Sequence, residues 1–272
     1  MTLLAVRSPD LKLTDGFARY WHGGDPFRTM LFDSLSMMFP AGEQFFVDCV
    51  RASLPACVDR PELLRAAEGF VAQEASHRFM HQRVNAVLDA QGYTNLVDRW
   101  IRRRVFLSSG WDRRSLMALV IAYEHFTAVL GDIGLRHPAV LAGVEDDLVR
   151  LWLWHAAEES EHKAVAYDIY TALSGGYVRR AAAYLFVSLR FALDMLLQTG
   201  HSLRRDGQLW KARTWSSAAR YLFGKPGLIW LLLPSWLRYL RPGFHPRQHD
   251  NEALVRSWLK ANEAHLRVIS RR

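Results

Sequence analysis

Six glutamate and histidine residues are spaced along the chain as the ligands of a dinuclear metal site would be. Glu74 and His77 form a Glu-x-x-His pair, and Glu159 and His162 form a second pair. Helical bundles that bind two metal ions take one Glu from each of two helices and a Glu-x-x-His pair from each of the other two. The candidate ligands follow that rule in the order single, pair, single, pair: Glu43, Glu74, His77, Glu124, Glu159 and His162. The intervals leave room for a helix and a turn between successive contributions.

The charge of these side chains gives a physical reason for a metal site. On an α-helix, residues i and i+3 are neighbours on one face, so each Glu-x-x-His pair can bind one ion. Their sequence neighbours are apolar, and buried carboxylates must be protonated, paired or metal-bound. The positive charge of two divalent cations equals the negative charge of four ionised glutamates. Carboxylate and imidazole ligands suit iron or manganese, with zinc as an alternative, so the sequence predicts two metal ions and iron first among them.

Other roles for these glutamates remain open at this point. Glu43 follows Pro40 closely and could serve only the N-terminal dipole of a helix. Glu124 stands alone and could be a surface residue, although its neighbours favour burial. Glu158 is a rival to Glu159, because it lies four residues before the second histidine. A solvent-exposed position for the whole set is the alternative to a metal site.

Two further histidines lie on the predicted metal-facing sides of their helices. His81 follows Glu74 by seven residues, and His155 precedes His162 by seven. Each is a candidate extra ligand, proton relay or orienting partner in catalysis. Seven residues move His81 two turns, about 10 Å, along the helix axis, so we expect a role outside direct metal contact.

The chain shows helical periodicity and almost no strand signals, which predicts an all-α fold. Pro40 and Pro61 suit the first turns of helices, and Gly92 suits a helix end. The expected helices span about 26–38, 40–53, 61–90, 113–135, 139–173 and 248–269, with a basic amphipathic connector over 95–107. We expect a loosely structured lead-in over 1–24, a four-helix bundle with a di-metal core over 25–176, and a C-terminal helical extension over 177–272 that packs on the bundle within a single domain.

Two apolar stretches follow the predicted bundle. Residues 181–200 carry Arg190 and Asp194, and residues 226–243 are broken by Pro234, well short of the ~20 residues that a bilayer crossing needs. The sequence therefore favours two helices that cover the bundle. The alternative is a peripheral membrane contact through residues 226–243, where Trp, Arg and Tyr are mixed.

Composition limits the classes of protein that the chain can belong to. Half of its 272 residues are apolar, which indicates a globular protein, and its net charge of +8 comes mainly from arginine. A surface with this charge can attract anionic lipid or nucleic acid, or it can reflect only a general use of arginine at the surface. Because the chain carries no nucleic-acid motif, we expect no nucleic-acid partner. Cys49 and Cys57 form no paired motif, and the N-terminal stretch is not a secretory signal. These features predict a cytoplasmic protein, with membrane association as the alternative.

The local strings around the candidate ligands resemble those of the ferritin-like di-metal carboxylate superfamily. More narrowly, they resemble a bacterial family catalogued as predicted metal-dependent hydrolases. The strings are FPAGE at 39–43, QEASH at 73–77, YEHFT at 123–127, WHAAEESEHK at 154–163 and GFHP at 243–246, followed by His249 and Asp250. The likeness spans about residues 25–260 and implies a ferritin-like bundle with the same six ligands. The superfamily implies oxygen activation by two iron ions, whereas the family label implies hydrolysis.

The sequence leaves three functions, and it favours oxidation. In the favoured interpretation, two iron ions activate dioxygen as a co-substrate to hydroxylate, desaturate or cleave an apolar small molecule, with electrons from a donor protein or from the substrate. The first alternative is a dinuclear metal-dependent hydrolase, in which two metals activate a water molecule. The second is a non-catalytic metal-binding protein. The preference for oxidation rests on analogy between ligand sets within one fold.

Overall fold

The fold is mostly helical in the computed structural model, which describes residues 4–13 and 16–271. The helices are α1 Pro26–Ser53, α2 Pro61–Ala90, α3 Leu96–Leu107, α4 Arg113–Arg136, α5 Asp146–His162, α6 Val165–Ala172, α7 Tyr177–Arg205, α8 Ala212–Phe223, α9 Leu228–Tyr239 and α10 Glu252–Ala261. Two short strands, β1 Ala5–Pro9 and β2 Leu266–Arg271, form a small sheet. The predicted all-α class is therefore confirmed as a mostly helical fold, with this sheet as its exception.

Several helices begin near the predicted positions, and a side chain caps the first turn of each. Asp25 accepts a hydrogen bond from the backbone N of Arg28, and Pro26 occupies the first turn of α1. Asp112 accepts from the backbone N atoms of Arg114 and Ser115 at the start of α4. Each cap satisfies amide groups that the first turn of a helix leaves without partners. The predicted bounds of α2 and α4 agree with the structure to within a residue, and the predicted amphipathic connector over 95–107 forms α3.

Helix α1 is continuous through Pro40, where the sequence predicts a break between two helices. Proline lacks the N–H that would bond the carbonyl of Ser36, four residues earlier. The Nδ2 group of Asn85, on α2, donates to that carbonyl at 3.0 Å, and Asn95 Nδ2 donates to the next carbonyl, that of Met37, at 3.0 Å. Because side chains from outside α1 replace the lost helical hydrogen bonds, the helix continues.

The continuity of α1 decides one of the open alternatives. Glu43 lies in the interior of this helix, more than three turns after its first residue. The interpretation of Glu43 as a residue that serves only a helix N-terminus is therefore wrong.

The predicted helix over 139–173 begins only at Asp146, after a short 3-10 turn, and consists of two helices. Helix α5 ends at His162 and α6 begins at Val165. At the break, Lys163 Nζ donates to the carbonyl of His249 at 2.6 Å and to Asn251 Oδ1 at 2.5 Å. The late segment of the chain is thus fastened beside the end of α5.

The two strands join distant parts of the chain. Strand β1 pairs antiparallel with β2, with Ala5 opposite Arg271 and Pro9 opposite Leu266. Part of the predicted loose lead-in is therefore a strand, and the predicted helix over 248–269 ends at Ala261. Strands of five and six residues are too short to show a clear alternating pattern, and the partner of each is remote in sequence. Positions 1–3, 14–15 and 272 of the predicted segments lie outside the described residues.

Four long helices surround the centre of the molecule. Helix α1 packs on α2 and α4, while α5 packs on α4 and α2. The backbones of α4 and α5 approach closely, because a Cβ added to Gly131 would lie 2.9 Å from Ala156 Cα. Gly69 likewise lets the segment before β1 lie against α2, since a Cβ there would lie 2.8 Å from Leu4 Cβ. Helix α7 packs across α1 and α4.

Two helices in the described part of the chain are long and apolar enough to cross a membrane by length and composition alone, α4 and α7. The most apolar stretch of α4 is 56% buried, as in a core helix, whereas that of α7 is only 28% buried. Cys49 and Cys57 are both buried and free of disulfide bonds.

Candidate metal centre

The four central helices bring the six candidate ligands together. Helix α1 contributes Glu43, α4 contributes Glu124, and α2 and α5 contribute one Glu-x-x-His pair each. All six side chains are buried. Their oxygen and nitrogen atoms form overlapping groups in which all atoms lie within 4.8 Å of one another. A solvent-exposed position for the whole set is therefore excluded, and so is a surface position for Glu124.

One group is centred on His162. Its Nε2 atom lies 3.1 Å from Glu74 Oε1, 3.6 Å from Glu124 Oε2 and 3.5 Å from Glu159 Oε2. One atom from each of these four residues, which α2, α4 and α5 carry, therefore lies within 4.8 Å of the other three.

A second group is centred on His77. Its Nδ1 atom lies 3.9 Å from Glu74 Oε1 and 3.5 Å from Glu159 Oε1, and Glu43 belongs to the same cluster. Glu74 and Glu159 thus take part in the groups around both histidines. This places the two glutamates where bridging carboxylates of a dinuclear centre would lie.

The atoms that face one another in this cluster lack hydrogen-bond partners in the described part of the chain. They are both carboxyl oxygens of Glu43, Glu74 and Glu124, together with His77 Nδ1 and His162 Nε2. Buried polar atoms are almost always hydrogen-bonded, and unpartnered ones are costly. Divalent cations would satisfy these atoms and their charge at once, so the residues fit a site for two metal ions.

Protons must balance the charge of these carboxylates when no cation is present. Burial raises the pKa of Glu43 and of Glu124 well above the usual value. Burial alone would also raise the pKa of Glu159, but the charge of His162 and nearby hydrogen bonds lower it well below. Burial lowers the pKa of His77, but the hydrogen bond to Glu158 and the negative charge of the nearby carboxylates outweigh it and raise this pKa to about 10. Metal binding at this cluster therefore releases protons.

Each metal-facing histidine is oriented through its other ring nitrogen. His77 Nε2 lies 3.1 Å from Glu158 Oε2. The backbone N of Arg7, on β1, donates to Glu158 Oε1 at 2.9 Å. His162 Nδ1 lies 3.0 Å from Gln73 Oε1. Such outer partners fix the ring and the tautomer of a metal ligand.

Sequence reasoning missed this orienting set. It considered Glu158 only as a rival ligand, and it assigned no role to Gln73 or Arg7. The adjacent position of Glu158 turns its side chain about 100° away from that of Glu159, toward α2 and β1. Gln73 and Glu158, each directly before the glutamate of a Glu-x-x-His pair, are the only local signal, and the partner of Glu158 lies on a strand that the sequence does not reveal.

His81 and His155 form a hydrogen-bonded chain that leads to the cluster. His81 Nδ1 lies 2.9 Å from Ser36 Oγ, and its Nε2 lies 2.8 Å from His155 Nδ1. His155 Nε2 lies 2.9 Å from Glu159 Oε1 and 3.8 Å from Glu43 Oε1. Burial lowers the pKa of both histidines, that of His155 to about 4, so both rings are neutral. His81 is fully buried, and its role as relay or ligand stays a prediction.

Two apolar cavities adjoin the cluster. The first has a volume of about 270 Å³ and reaches Glu43. The second has a volume of about 360 Å³ and reaches His155 and Glu159. They share the walls formed by Leu35, Phe39, Phe126, Thr127, Leu130 and Phe191. Thr127 Oγ1 also donates to Glu159 Oε2 at 2.5 Å, which fixes this carboxylate at the edge of both cavities.

A narrow polar space of about 30 Å³ lies on the other side of Glu124. Lys163, His249 and Asn251 line both this space and a wider surface cleft. His249 Nε2 lies 2.9 Å from Asp132 Oδ2. The centre therefore has an apolar side and a polar side, and the late string that ends in His249 and Asp250 belongs to the polar side.

A family model described as "Predicted metal-dependent hydrolase" matches residues 5–250. The chain belongs to this family. The match covers β1 and every helix that carries a candidate ligand, as well as the polar side of the centre. Searches of curated proteins and of solved structures find no match to the chain.

Membership of this family of predicted metal-dependent hydrolases overturns the favoured sequence interpretation. Oxygen activation by two iron ions, with dioxygen as a co-substrate and a protein electron donor, was the wrong choice, and the hydrolase alternative is the better supported one. The physical reason is that the ligand set does not specify redox chemistry. Carboxylate and imidazole ligands bind zinc and manganese as well as iron, and the same cations activate water.

Proposed function

We propose that the chain is a dinuclear metal-dependent hydrolase. In this proposal, α1, α2, α4 and α5 form a ferritin-like four-helix bundle within residues 25–176, and the helices of residues 177–272 cover it within one domain. The metal ligands are Glu43, Glu74, His77, Glu124, Glu159 and His162. The observation that carries the proposal is the set of buried, mutually facing carboxyl oxygens and imidazole nitrogens without hydrogen-bond partners. Family membership supplies the reaction class.

Two divalent ions are the proposed cofactors. Four glutamates carry a charge of −4 when ionised, and two divalent cations cancel it inside a low-dielectric core. Iron, expected first from the sequence, remains part of the proposal together with manganese and zinc, because all three accept carboxylate and imidazole ligands. Ions bound in such a site polarise a substrate carbonyl and lower the pKa of a water molecule.

His155 is the proposed proton acceptor, and the hydrogen-bonded chain behind it sets its tautomer. Asn85 Nδ2 donates to the carbonyl of Ser36, so Asn85 Oδ1 accepts the Ser36 hydroxyl proton at 3.0 Å. Ser36 Oγ must then accept from His81 Nδ1, and His81 Nε2 must accept from His155 Nδ1. With both rings neutral, His155 Nε2 keeps a lone pair that faces Glu159 Oε1 at 2.9 Å, and two such acceptors require a shared proton or a cation between them.

That lone pair suits the removal of a proton from an attacking water molecule. A general base must lie within hydrogen-bonding reach of the group that it deprotonates. His155 Nε2 meets this condition for any molecule placed beside Glu159 Oε1, which lies 2.9 Å away. His81 acts as a positioning residue that holds His155 in the required tautomer. Direct metal binding by His155 is the competing role.

The substrate proposed from the cavities is an ester or amide of an apolar acyl chain. Both cavities are lined mainly by Leu, Phe, Met and Trp side chains, which bind hydrocarbon and exclude water. Both end at carboxylates of the cluster, so a chain lying in either one directs its polar end toward the metals.

The decisive experiment measures hydrolysis after metal removal and reloading. Protein stripped with a chelator is reloaded with zinc, manganese or ferrous iron and assayed with p-nitrophenyl esters and anilides of increasing acyl length. We expect activity that requires metal and rises with acyl length until the cavities are filled. The variant Glu74→Ala/Glu159→Ala should be inactive, whereas Glu68→Ala/Glu263→Ala, which alters two exposed glutamates, should be fully active.

A cavity variant separates substrate binding from metal chemistry. Leu130 lines both cavities, so Leu130→Trp should reduce the cleavage of long acyl esters and spare the acetyl ester. Equal activity in the metal-free protein, or no cleavage of any ester or amide with any of the three metals, would contradict the proposed function. Metal binding without turnover would favour the non-catalytic alternative.

A further inference from the structure

The outer side of α7 is an exposed apolar stripe. Val178, Leu189 and Leu196 are 77%, 68% and 60% exposed. Together with Leu185 they recur at helical spacing on one face of α7. Most long apolar helices of soluble proteins bury such a stripe, but only 28% of the most apolar stretch of α7 is buried. The stripe therefore lacks a covering element in the described part of the chain.

Helix α9 extends this surface. Trp230, Leu233 and Leu237 are exposed and recur at intervals of three and four residues. Both α7 and α9 pack on α4, and Trp236 Nε1 donates to Ser188 Oγ on α7 at 2.9 Å. The outer sides of the two helices consequently lie next to each other. We call this combined surface the apolar face, formed by Val178, Leu185, Phe186, Leu189, Leu196, Leu197, Trp230, Leu233 and Leu237.

Positive charge is concentrated in the segment that carries the α9 part of this face. Residues 207–249 contain seven lysines and arginines and no aspartate or glutamate, so the segment carries +7 of the net charge of +8. Helix α3, beside α7, adds exposed Arg99 and Arg103. A second copy of the chain would bring the same positive charge to the contact, which disfavours self-association. An anionic partner is favoured.

We propose that the apolar face docks on an anionic lipid bilayer. The helices α7 and α9 would lie in the plane of the interface, with the exposed Trp111 and Trp215 at headgroup level and the basic residues against anionic headgroups. Crossing of the bilayer by α7 is disfavoured, because Asp194 pairs with Arg104 of α3 at 2.5 Å and with Arg190 at 2.8 Å. The docking surface is wider than residues 226–243, the segment indicated by the sequence.

Docking brings the mouths of the cavities to the lipid. Phe186 belongs both to the apolar face and to the lining of the first cavity, where exposed Leu107 and Trp111 lie at the entrance. Ala192, exposed on α7 between Leu189 and Leu196, lines the second cavity. An acyl chain could pass from the bilayer into either cavity without contacting water. This step rests on the proposed function, and it makes the substrate an acyl compound held in the membrane.

Vesicle sedimentation tests the docking directly with the metal-loaded full chain. We expect binding to vesicles of phosphatidylcholine with phosphatidylglycerol, weaker binding at high salt, and much weaker binding to phosphatidylcholine alone. The variant Leu189→Glu/Leu196→Glu should weaken binding roughly 100-fold, because two exposed leucines no longer enter the lipid. The matched control Val58→Glu/Phe79→Glu changes two exposed apolar residues remote from α7, with the same change in charge, and should bind as the parent chain does.

Three results would overturn the docking proposal. They are no binding of the parent chain to anionic vesicles, an equal loss of binding in the control variant, and a dimer that becomes a monomer in Leu189→Glu/Leu196→Glu without any vesicle binding. Metal content and the cleavage of a short, water-soluble ester should be the same in both variants. Docking without ester cleavage would therefore refute the proposed function alone, and ester cleavage without docking would refute this inference alone.

Discussion

His77 Nε2 lies 3.1 Å from Glu158 Oε2, and this contact directs His77 Nδ1 toward the carboxylates of Glu74 and Glu159. Glu158 is held in turn by the backbone and the guanidinium group of Arg7, on β1. The orientation of a candidate metal ligand on α2 thus depends on a residue of α5 and on a strand near the beginning of the chain. The first prediction concerns this contact.

Replacement of Glu158 by glutamine should weaken metal binding without abolishing it. The amide keeps the shape of the side chain but removes the negative charge that fixes the His77 tautomer, and such changes typically cost about 10- to 100-fold in affinity. Competition with a chelator measures the change. Glu68→Gln, on the exposed side of α2, is the matched control. Unchanged affinity in Glu158→Gln would show that Glu158 does not orient the site.

The purified protein should contain about two divalent metal ions per chain, with iron the first expected. Glu74→Ala/Glu159→Ala should contain none, because these two glutamates take part in the groups around both histidines. Elemental analysis of the two proteins, with Glu68→Ala/Glu263→Ala as the control, measures the content. Full metal content in the double variant would refute the ligand assignment.

His81→Ala should retain at least one metal ion and lose most of its hydrolytic activity. Its loss leaves His155 Nδ1 without an acceptor, so His155 can adopt the other tautomer and its Nε2 can lose the lone pair. Metal analysis and the pH profile of kcat distinguish a positioning role from a structural one, with His265→Ala as an exposed control. Complete loss of metal would instead identify His81 as a ligand.

Asn85 and Pro40 should be energetically coupled. Asn85→Ala removes the donor to the Ser36 carbonyl and should lower the free energy of unfolding by about 1–2 kcal/mol. In a Pro40→Ala background the cost should be smaller by about 1 kcal/mol, because the new N–H of residue 40 can bond the same carbonyl. Denaturant unfolding of the parent, both single variants and the double variant measures the coupling. Additive effects would contradict this explanation of the unbroken α1.

Asp33→Asn should remove a pH dependence of stability. Burial raises the pKa of Asp33 to about 8, against the lowering effect of its hydrogen bond from Trp21 Nε1 at 2.8 Å. The unfolded chain loses this proton near pH 4, whereas the folded chain keeps it until about pH 8, so stability falls as pH rises across that window. Between pH 5 and pH 8 the parent should lose about 3 kcal/mol relative to Asp33→Asn. An equal change in the free energy of unfolding of the parent and of Asp33→Asn between the two pH values would contradict this prediction.

The sequence revealed the candidate ligands because they lie within regular helices. A fixed helical period converts the spacing of Glu74 and His77 into a shared face, and the structure brings that face to Glu43 and Glu124. The residues that orient the candidate ligands follow no such spacing rule. Glu158, Gln73 and Arg7 meet only in three dimensions, and neither the strand that carries Arg7 nor its pairing leaves a local pattern.

Helix α1 is a second case in which contacts from distant residues decide a local structure. The local preference of Pro40 is for the first turn of a helix, which predicts a break before it. The side-chain amides of Asn85 and Asn95, which belong to other elements, bond the preceding carbonyls, and α1 continues. The sequence-based choice of oxidation over hydrolysis was wrong for a chemical reason, because the same carboxylate and imidazole donor atoms serve both reactions. Residue spacing therefore predicted which side chains would meet better than it predicted their chemistry.

The pairing of β1 with β2 sets an order of events during synthesis of the chain. Ala5 pairs with Arg271, so β1 has no strand partner until residues 266–271 have left the ribosome. Arg7 belongs to β1, and its backbone holds the glutamate that orients His77. A nascent chain can thus form all four central helices and still lack a correctly held His77. Stable metal loading should consequently follow the synthesis of β2, and chains that are interrupted before β2 should acquire metal poorly.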